Sequence, residues 1–211
     1  MKREEYIQAV LVKLEEVSPY NDIADGLIAV AGDSTARKVK PIATYIDECL
    51  DEACCDVMQI IPLSRLGADI IDIEDEVKSD GKGVLHISIP CNFLRFVRLH
   101  QNFLNRDVYH LIHQDSPAYL LQQNPFARGG RFKPVAAMVA NDYERKIELY
   151  SVPNKTSCSY RLTYIPRLKA EGVCSKIEEE IIIMTAIKVL NIFGNDTKVM
   201  QDELTNKIQI I

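Results

Sequence analysis

Three histidines and an aspartate in the middle of the chain could bind a metal ion: His100, His110, His113 and Asp115. A zinc site needs three or four ligands that converge on one point. His110 and His113 are three residues apart, and on a strand residues at that spacing point to opposite faces. The pair would chelate a metal only from a helix or a loop, so the sequence favours histidines that are exposed or lie at an interface.

An acidic run offers a second set of ligands: Asp69, Asp72, Glu74, Asp75 and Glu76. The calcium-loop pattern D-x-[DN]-x-[DN]-G is broken, because no glycine stands at the required turn. The sequence therefore predicts a solvated linker here. A metal-dependent hydrolase or nuclease, built from these acids together with His110 and His113, is an alternative function that requires the two groups to converge.

Motifs that would mark other enzymes do not occur in the chain. The patterns G-x-x-x-x-G-K-[ST], H-E-x-x-H and G-x-S-x-G are all absent. The six cysteines contain no C-x-x-C pair. The adjacent Cys54 and Cys55 would point about 100° apart on a helix, so we expect buried free thiols. The sequence thus predicts no catalytic residue, no bound metal and no cofactor.

The chain has one local basic patch, with the sequence Arg128-Gly129-Gly130-Arg131-Phe132-Lys133. The flexible glycine pair would let the backbone approach phosphates, and Phe126 or Phe132 could stack or fill a pocket. Three charges supply only a weak electrostatic attraction to nucleic acid. Arg128, Arg131, Phe132 and Lys133 are therefore a candidate loop that faces either DNA or a neighbouring subunit, and the sequence favours the subunit.

The composition is that of an ordinary globular protein. The 211 residues are 47% hydrophobic and 26% charged, which excludes a disordered or collagen-like chain. The formal charge is −5 and the sequence pI is near 5.5, so general attraction to nucleic acid or to anionic membranes is not expected. No apolar run reaches the roughly 18 residues of a membrane span, and the start lacks the apolar core of a signal peptide. We expect the chain to fold in a cytoplasm.

Helical spacing marks both ends of the chain, which predicts helical parts over residues 1–80 and 171–211. Residues 41–61 form the longest amphipathic stretch and begin with a proline that suits the first turn of a helix. Ser175 and Glu178 have the spacing of a capping box, and Gly194 is the expected C-cap of that helix. The tail offers apolar anchors for docking to a partner: Leu204, Ile208, Ile210 and Ile211.

Alternating apolar and polar residues over 81–170 predict short strands. The stretch 116–134 between them is too long and too rich in Pro and Gly for a hairpin, which indicates a loop that some partner holds. We expect an α+β fold, in which N- and C-terminal helices form a helical bundle with a small antiparallel sheet or sandwich inserted between them. All three parts would belong to a single structural unit.

Four segments follow one another along the chain: IDECLDEACCDVMQIIPLSRL, GVLHISIPCNFLRFVRLHQN, KIELYSVPNKTSCSYRLTYIPRL and IEEEIIIMTAIKVLNIFGND. They predict a long helix, strands, a strand pair and a final helix. In this order they resemble the head-to-tail connector, or neck ring, proteins of tailed bacteriophages. That group includes adaptor, tail-tubular and gatekeeper proteins and the ring proteins of crAss-like phages. The resemblance covers residues 41 to about 196.

The resemblance implies a virion structural protein and not an enzyme. Such proteins form a homo-oligomeric ring, usually a dodecamer, that stacks beneath the portal protein and contacts other connector or tail ring proteins. The ring seals the capsid exit, and DNA passes non-specifically through its lumen. Assembly would take place in the host bacterial cytoplasm, without contact to a membrane. An intracellular adaptor outside the virion is a further alternative, with the same surfaces and other partners.

Overall fold

The computed structural model describes residues 1–17, 41–66, 71–78, 81–140, 145–150, 152 and 157–209. The fold is of the mixed α+β class, as the sequence predicts. Over these residues the chain forms α1 (Arg3–Val17), α2 (Ile42–Ile60), β1 (Ile71–Lys78), β2 (Val84–Ser88), β3 (Phe93–Gln101), β4 (Leu111–His113), α3 (Pro117–Gln123), β5 (Ala136–Ala140), β6 (Arg145–Tyr150), β7 (Ser157–Pro166), α4 (Glu178–Ile192) and α5 (Lys198–Gln209).

The chain divides into two compact units. The helical unit consists of Met1–Asp69 together with Arg167–Ile211, and the β unit consists of Ile70–Pro166. The β unit is therefore a continuous segment, whereas the helical unit is built from both ends of the chain.

Apolar helix faces form the core of the helical unit. In α2 the buried positions recur at spacings of three and four, as the sequence predicts for residues 41–61. Pro41 stands directly before the first helical residue. The apolar face ends differently from the prediction, because Ile60 is half exposed and Ile61 is buried. Ile61 has extended backbone (ψ 147°), which redirects its side chain after the last helical turn.

The two ends of α4 show how local signals compete with distant partners. At the C-terminal end Gly194 has φ +74°, which confirms the predicted C-cap. At the N-terminal end the capping-box prediction was wrong, because Ser175 lies in a 3₁₀ turn and no side chain caps the helix. The Glu178 carboxylate instead accepts a hydrogen bond from the amino group of Met1 at 2.5 Å.

Arg65, in a 3₁₀ turn after α2, ties three helices of this unit together. Its Nη2 lies 2.7 Å from the buried carboxylate of Glu180 in α4. Its guanidinium also donates to the carbonyl oxygens of Lys176 and Lys207, at 2.6 and 3.2 Å. A guanidinium that satisfies a buried acid and two carbonyls fixes the ends of α2, α4 and α5 against one another.

Two sheets form the β unit. One has the strand order β1-β7-β3 and is antiparallel throughout; the other has the order β2-β6-β5-β4. Both sheets contribute to one core, in which Leu85 and Ile147 of the second sheet pack with Leu99 and Leu162 of the first. In the second sheet β4 pairs with β5 in parallel, whereas the sequence predicted antiparallel strands.

Two segments predicted to lack regular structure contain it. The acidic run predicted as a linker forms β1 from Asp72 onward, whereas Asp69 lies outside the described residues. Ile73 packs towards the core, while Asp72 and Glu74 bond to Thr163 and Arg161 of β7. Residues 116–134, predicted as a loop, contain α3. Parallel strands need a crossover connection rather than a hairpin, and this segment supplies it between β4 and β5.

Candidate functional site

The basic patch follows α3, and the start of that helix is set by local capping. Ser116 has extended backbone, its hydroxyl accepts from the Tyr119 amide at 3.3 Å, and Pro117 occupies the first turn. A serine cap followed by proline is a strong helix start. The crossover therefore begins as an ordered helix from which residues 124–133 continue.

Gln122 fastens the basic patch to α3. Its side chain is buried, and its Oε1 accepts from the Gly129 amide at 2.8 Å. Its carbonyl oxygen accepts from Arg128 Nε at 2.6 Å. One glutamine thus holds two consecutive residues of the patch, so the backbone there is defined by the helix before it.

Arg128 is committed to contacts inside the β unit. Its Nη1 donates to the carbonyl of Lys82 at 2.7 Å, and its guanidinium lies 5.9 Å from the centre of the Tyr150 ring. A guanidinium used in this way positions the loop. The structure places Arg128 in the scaffold of the patch and not at its outer surface.

Gly129 is required by packing. A Cβ built there would lie 2.5 Å from Cγ2 of Val135 and 2.8 Å from the Lys133 carbonyl oxygen. The neighbouring Gly130 has open space around the same position. The interpretation of the glycine pair as simply flexible was therefore wrong for Gly129, which lets two backbone segments approach each other.

The outer part of the patch carries Arg131, Phe132 and Lys133. Arg131 Nε donates to Asn105 Oδ1 at 2.7 Å, and its guanidinium lies 5.1 Å from the Phe103 ring centre. Phe132 is 69% exposed, and Lys133 is exposed as well. Arg131 is thus oriented by its neighbours, while Phe132 and Lys133 face solvent.

Further large apolar side chains are exposed on the same segment. Leu120 and Leu121 of α3 are 69% and 57% exposed, and Phe126 is 99% exposed. No Asp or Glu occurs from Ser116 to Ala140. We call residues 117–133 the crossover segment; it combines exposed apolar side chains with a positive charge, and sequence reasoning found its charge but missed its two leucines.

A polar cleft of about 480 Å³ lies on the β1-β7-β3 sheet. His100 and Arg161 lie opposite each other in β3 and β7, and Glu74 of β1 pairs with Arg161. Asp107 Oδ1 lies 2.7 Å from His100 Nδ1, and Asp107 Oδ2 lies 3.7 Å from Arg98 Nη1. The charges in the cleft therefore have partners within the β unit. Sequence reasoning missed this cluster, because cross-strand register assembles it.

The remaining candidate ligands do not converge. His110 and His113 are both exposed, and His113 lies in β4. Over the described residues no three His, Cys, Asp or Glu side chains are arranged to hold a metal ion. Cys49 and Cys54 are buried free thiols, as predicted, whereas Cys55 and Cys174 are only half-buried and Cys91 is exposed. Burial raises the pKa of the Cys49 and Cys55 thiols, which keeps them protonated and unreactive near neutral pH.

The predicted docking tail is partly used within the chain itself. Leu204 of α5 is buried in the core of the helical unit, and Ile208 packs against that core. Ile210 and Ile211 lie outside the described residues. Two of the four apolar anchors thus already stabilise α5.

No protein-family model matches the chain, and comparison with curated proteins finds no match. Within the described parts of the chain, no helix has both the length and the apolar character needed to cross a membrane.

Proposed function

We propose that this chain is a non-enzymatic structural protein of a tailed bacteriophage virion and forms a ring in the portal-to-tail connector. The ring is a homo-oligomer, with twelve copies as the expectation from the resemblance. It stacks beneath the portal protein, contacts other connector or tail ring proteins, seals the capsid exit and lets DNA pass through its lumen. Assembly takes place in the host cytoplasm.

The order of elements along the chain carries this proposal. The long helix α2, the strands β2 and β3, the strands β6 and β7, and the helix α4 occur in the order by which the sequence resembles connector proteins. The strand pair predicted for β6 and β7 was wrong, because the two strands lie in different sheets. The helical unit encloses the β unit in sequence. We accordingly interpret the fold as a helical bundle with a small β-sheet or sandwich inserted between its two halves.

The exposed apolar side chains of the crossover segment support the proposal that this surface is covered by other protein subunits. Monomeric proteins rarely expose large apolar patches without a partner. Many weak contacts around a ring act together through high effective concentration, so a modest contact for each copy can hold a pressurised capsid closed. The tail end at Ile210 and Ile211 is a second point at which a portal or tail protein could bind.

The net charge is compatible with a DNA conduit. A uniformly positive lumen would retain the DNA that must leave, whereas a subunit with a formal charge of −5 attracts DNA only locally. Arg131 and Lys133 are the residues of the basic patch that remain for contact with either DNA or a neighbouring copy.

Imaging tests the proposal directly. Electron microscopy of the purified chain, alone and mixed with a portal protein from the same genome, should show rings with a central hole and rotational symmetry. Antibody labelling of particles should place the chain at the vertex that carries the tail. A chain that binds neither portal nor tail proteins and is absent from particles would refute the proposal.

A further inference from the structure

Four large apolar side chains of the crossover segment face water, although the segment is fastened by hydrogen bonds. Leu120, Leu121, Phe126 and Phe132 are each more than half exposed, while Gln122 holds the patch to α3. Such exposed apolar surface on an ordered backbone marks a protein contact. We propose that the crossover segment of one copy binds the outer face of α2 in a second copy. This inference rests on the proposed ring and supplies the contact between neighbours.

The chemistry of the segment favours a protein over DNA. The surface of duplex DNA consists of phosphates, which offer no complement to two phenylalanines and two leucines. Arg128 donates hydrogen bonds to the carbonyl oxygens of Gln122 and Lys82, and Arg131 Nε donates one to Asn105. Arg131 has further donors besides the Nε that binds Asn105, and Lys133 is exposed. These two cations orient an apolar contact, and the energy comes from burial of the aromatic side chains.

Charge also determines which surface of the second copy is suitable. Two crossover segments that faced each other would bring like charges together, so a two-fold contact of this surface with itself is disfavoured. The contact must therefore join different surfaces of the two copies. Contacts of that head-to-tail type generate closed rings when the rotation for each copy divides a full turn.

The outer face of α2 carries a row of exposed acids. The side chains of Asp47, Asp51, Glu52 and Asp56 are between 40% and 70% exposed. Arg3 pairs with Asp47 and Asp51, and Lys188 pairs with Glu52 and Asp56. All four acids keep a large exposed fraction beside these cations, so they can receive a further basic group from another copy.

A groove beside this row can receive an apolar side chain. It has a volume of about 590 Å³ and lies between α2 and residues 167–169. Cys55, Gln59 and Leu168 line it together with Asp51, Glu52 and Asp56, and Arg167 and Lys169 form part of the opposite wall. A phenylalanine side chain fits this volume, and the basic residues beside it can approach the three carboxylates on the α2 wall.

The net charges of the helical unit and the β unit also favour this contact. The helical unit contains thirteen Lys and Arg against twenty Asp and Glu, whereas the β unit contains twelve against ten. The opposite signs draw the β unit of one copy towards the helical unit of the next. Because this attraction is electrostatic, it should weaken as salt rises.

Removal of the aromatic side chains tests the apolar part of the contact. In sedimentation velocity, the native chain should associate in a concentration-dependent way, and Phe126→Ser/Phe132→Ser should weaken that association by about tenfold or more. Val199→Ser is the matched control, since Val199 is an equally exposed apolar residue (74%) of α5. It should leave the association unchanged. All variants should keep the native melting temperature, because the substituted side chains are exposed.

Charge reversal tests the pairing of the two surfaces. Glu48 is an exposed residue of α2 next to this row of acids. Arg131→Glu/Lys133→Glu on the crossover segment and Glu48→Lys/Glu52→Lys on α2 should each abolish association alone. An equimolar mixture of the two variants should regain it, because every native segment then finds a native α2 and every reversed segment a reversed one. A chain with all four changes should also associate. Circular dichroism checks that each variant is folded.

The inference is overturned if neither charge-reversed variant loses association, if the mixture does not regain it, or if the native chain stays monomeric up to about 1 mM. Rings seen in particles under any of these results would leave the proposed function standing and assign the contact to other residues. Loss of both the rings and the self-association would refute the two proposals together.

Discussion

Two tyrosines are buried to the same extent but differ in what their hydroxyl groups contact. Tyr6 of α1 is 0% exposed, and its Oη has no hydrogen-bond partner among the described residues. Tyr150 of β6 is 1% exposed, and its Oη donates to Glu148 Oε2 at 2.9 Å. A buried polar group without a partner costs about 1–3 kcal/mol. The hydroxyl of Tyr6 is therefore a local weakness, and that of Tyr150 holds a buried carboxylate.

We predict opposite effects when each hydroxyl is removed. Tyr6→Phe should raise the free energy of unfolding by about 1 kcal/mol, whereas Tyr150→Phe should lower it by about 1–2 kcal/mol, because Glu148 Oε2 loses the donor that Tyr150 supplies. Urea denaturation of both variants measures the difference. If Tyr6→Phe destabilised the chain as much as Tyr150→Phe, the Tyr6 hydroxyl would have a partner after all.

The buried hydroxyl of Tyr6 also affects the stability of the fold at alkaline pH. Burial raises the pKa of the Tyr6 hydroxyl, so the folded chain keeps it protonated at a pH where the unfolded chain ionises. Below the unfolded pKa of about 10, the hydroxyl is protonated in both states and the stability of the fold does not depend on its titration. Above that pH only the unfolded chain loses the proton, so the free energy of unfolding falls as the pH rises. Tyr6→Phe should therefore reduce the loss of stability between pH 10 and the alkaline end of the titration.

At the scale of elements, the crossover segment depends on one glycine and not on its neighbour. Gly129→Ala would place a methyl group 2.5 Å from Val135 and should lower the free energy of unfolding by about 1–3 kcal/mol. Gly130→Ala is the matched control, because open space surrounds that position. Thermal unfolding of the two variants gives the comparison. Equal effects would show that the segment does not pack as described.

Elements with a clear period could be predicted from the sequence. The spacing of buried residues predicts α2 almost to its ends, and the alternation around Tyr160 and Leu162 predicts β7. β1 was missed because its high charge outweighed an alternation of Ile and acid that is visible in IDIE. The Ser116-Pro117 start signal of α3 was also visible, but a helix of seven residues has too few turns to show a period.

The candidate site was predictable in composition but not in geometry. The basic patch stands out because acids are absent around it, and this signal is local. The partners of Arg128 and Arg131 are the carbonyl of Lys82 and the amide of Asn105, which lie 46 and 26 residues away in sequence. The capping-box error has the same origin, since Glu178 binds the amino group of Met1. Long-range partners leave no mark in local spacing.

At the scale of the whole molecule, the two units should differ in whether they fold alone. The core of the β unit draws all its residues from within Ile70–Pro166, whereas α2 packs on α4, which comes from the other end of the chain. A fragment of residues 70–166 should give a dispersed amide NMR spectrum, and a fragment of residues 1–69 should not. A folded 1–69 fragment would show that α1 and α2 need no partner from residues 167–211.

The split origin of the helical unit also affects how the protein is made. A ribosome delivers the apolar faces of α1 and α2 first, then the whole β unit, and only at the end α4, which covers them. While the β unit is being translated, the apolar faces of α1 and α2 have no native partner to cover them. Nascent chains with such exposed apolar surface aggregate readily. Production of this chain should therefore draw on the chaperones of the cell that makes it, with demand greatest just before the last helices emerge.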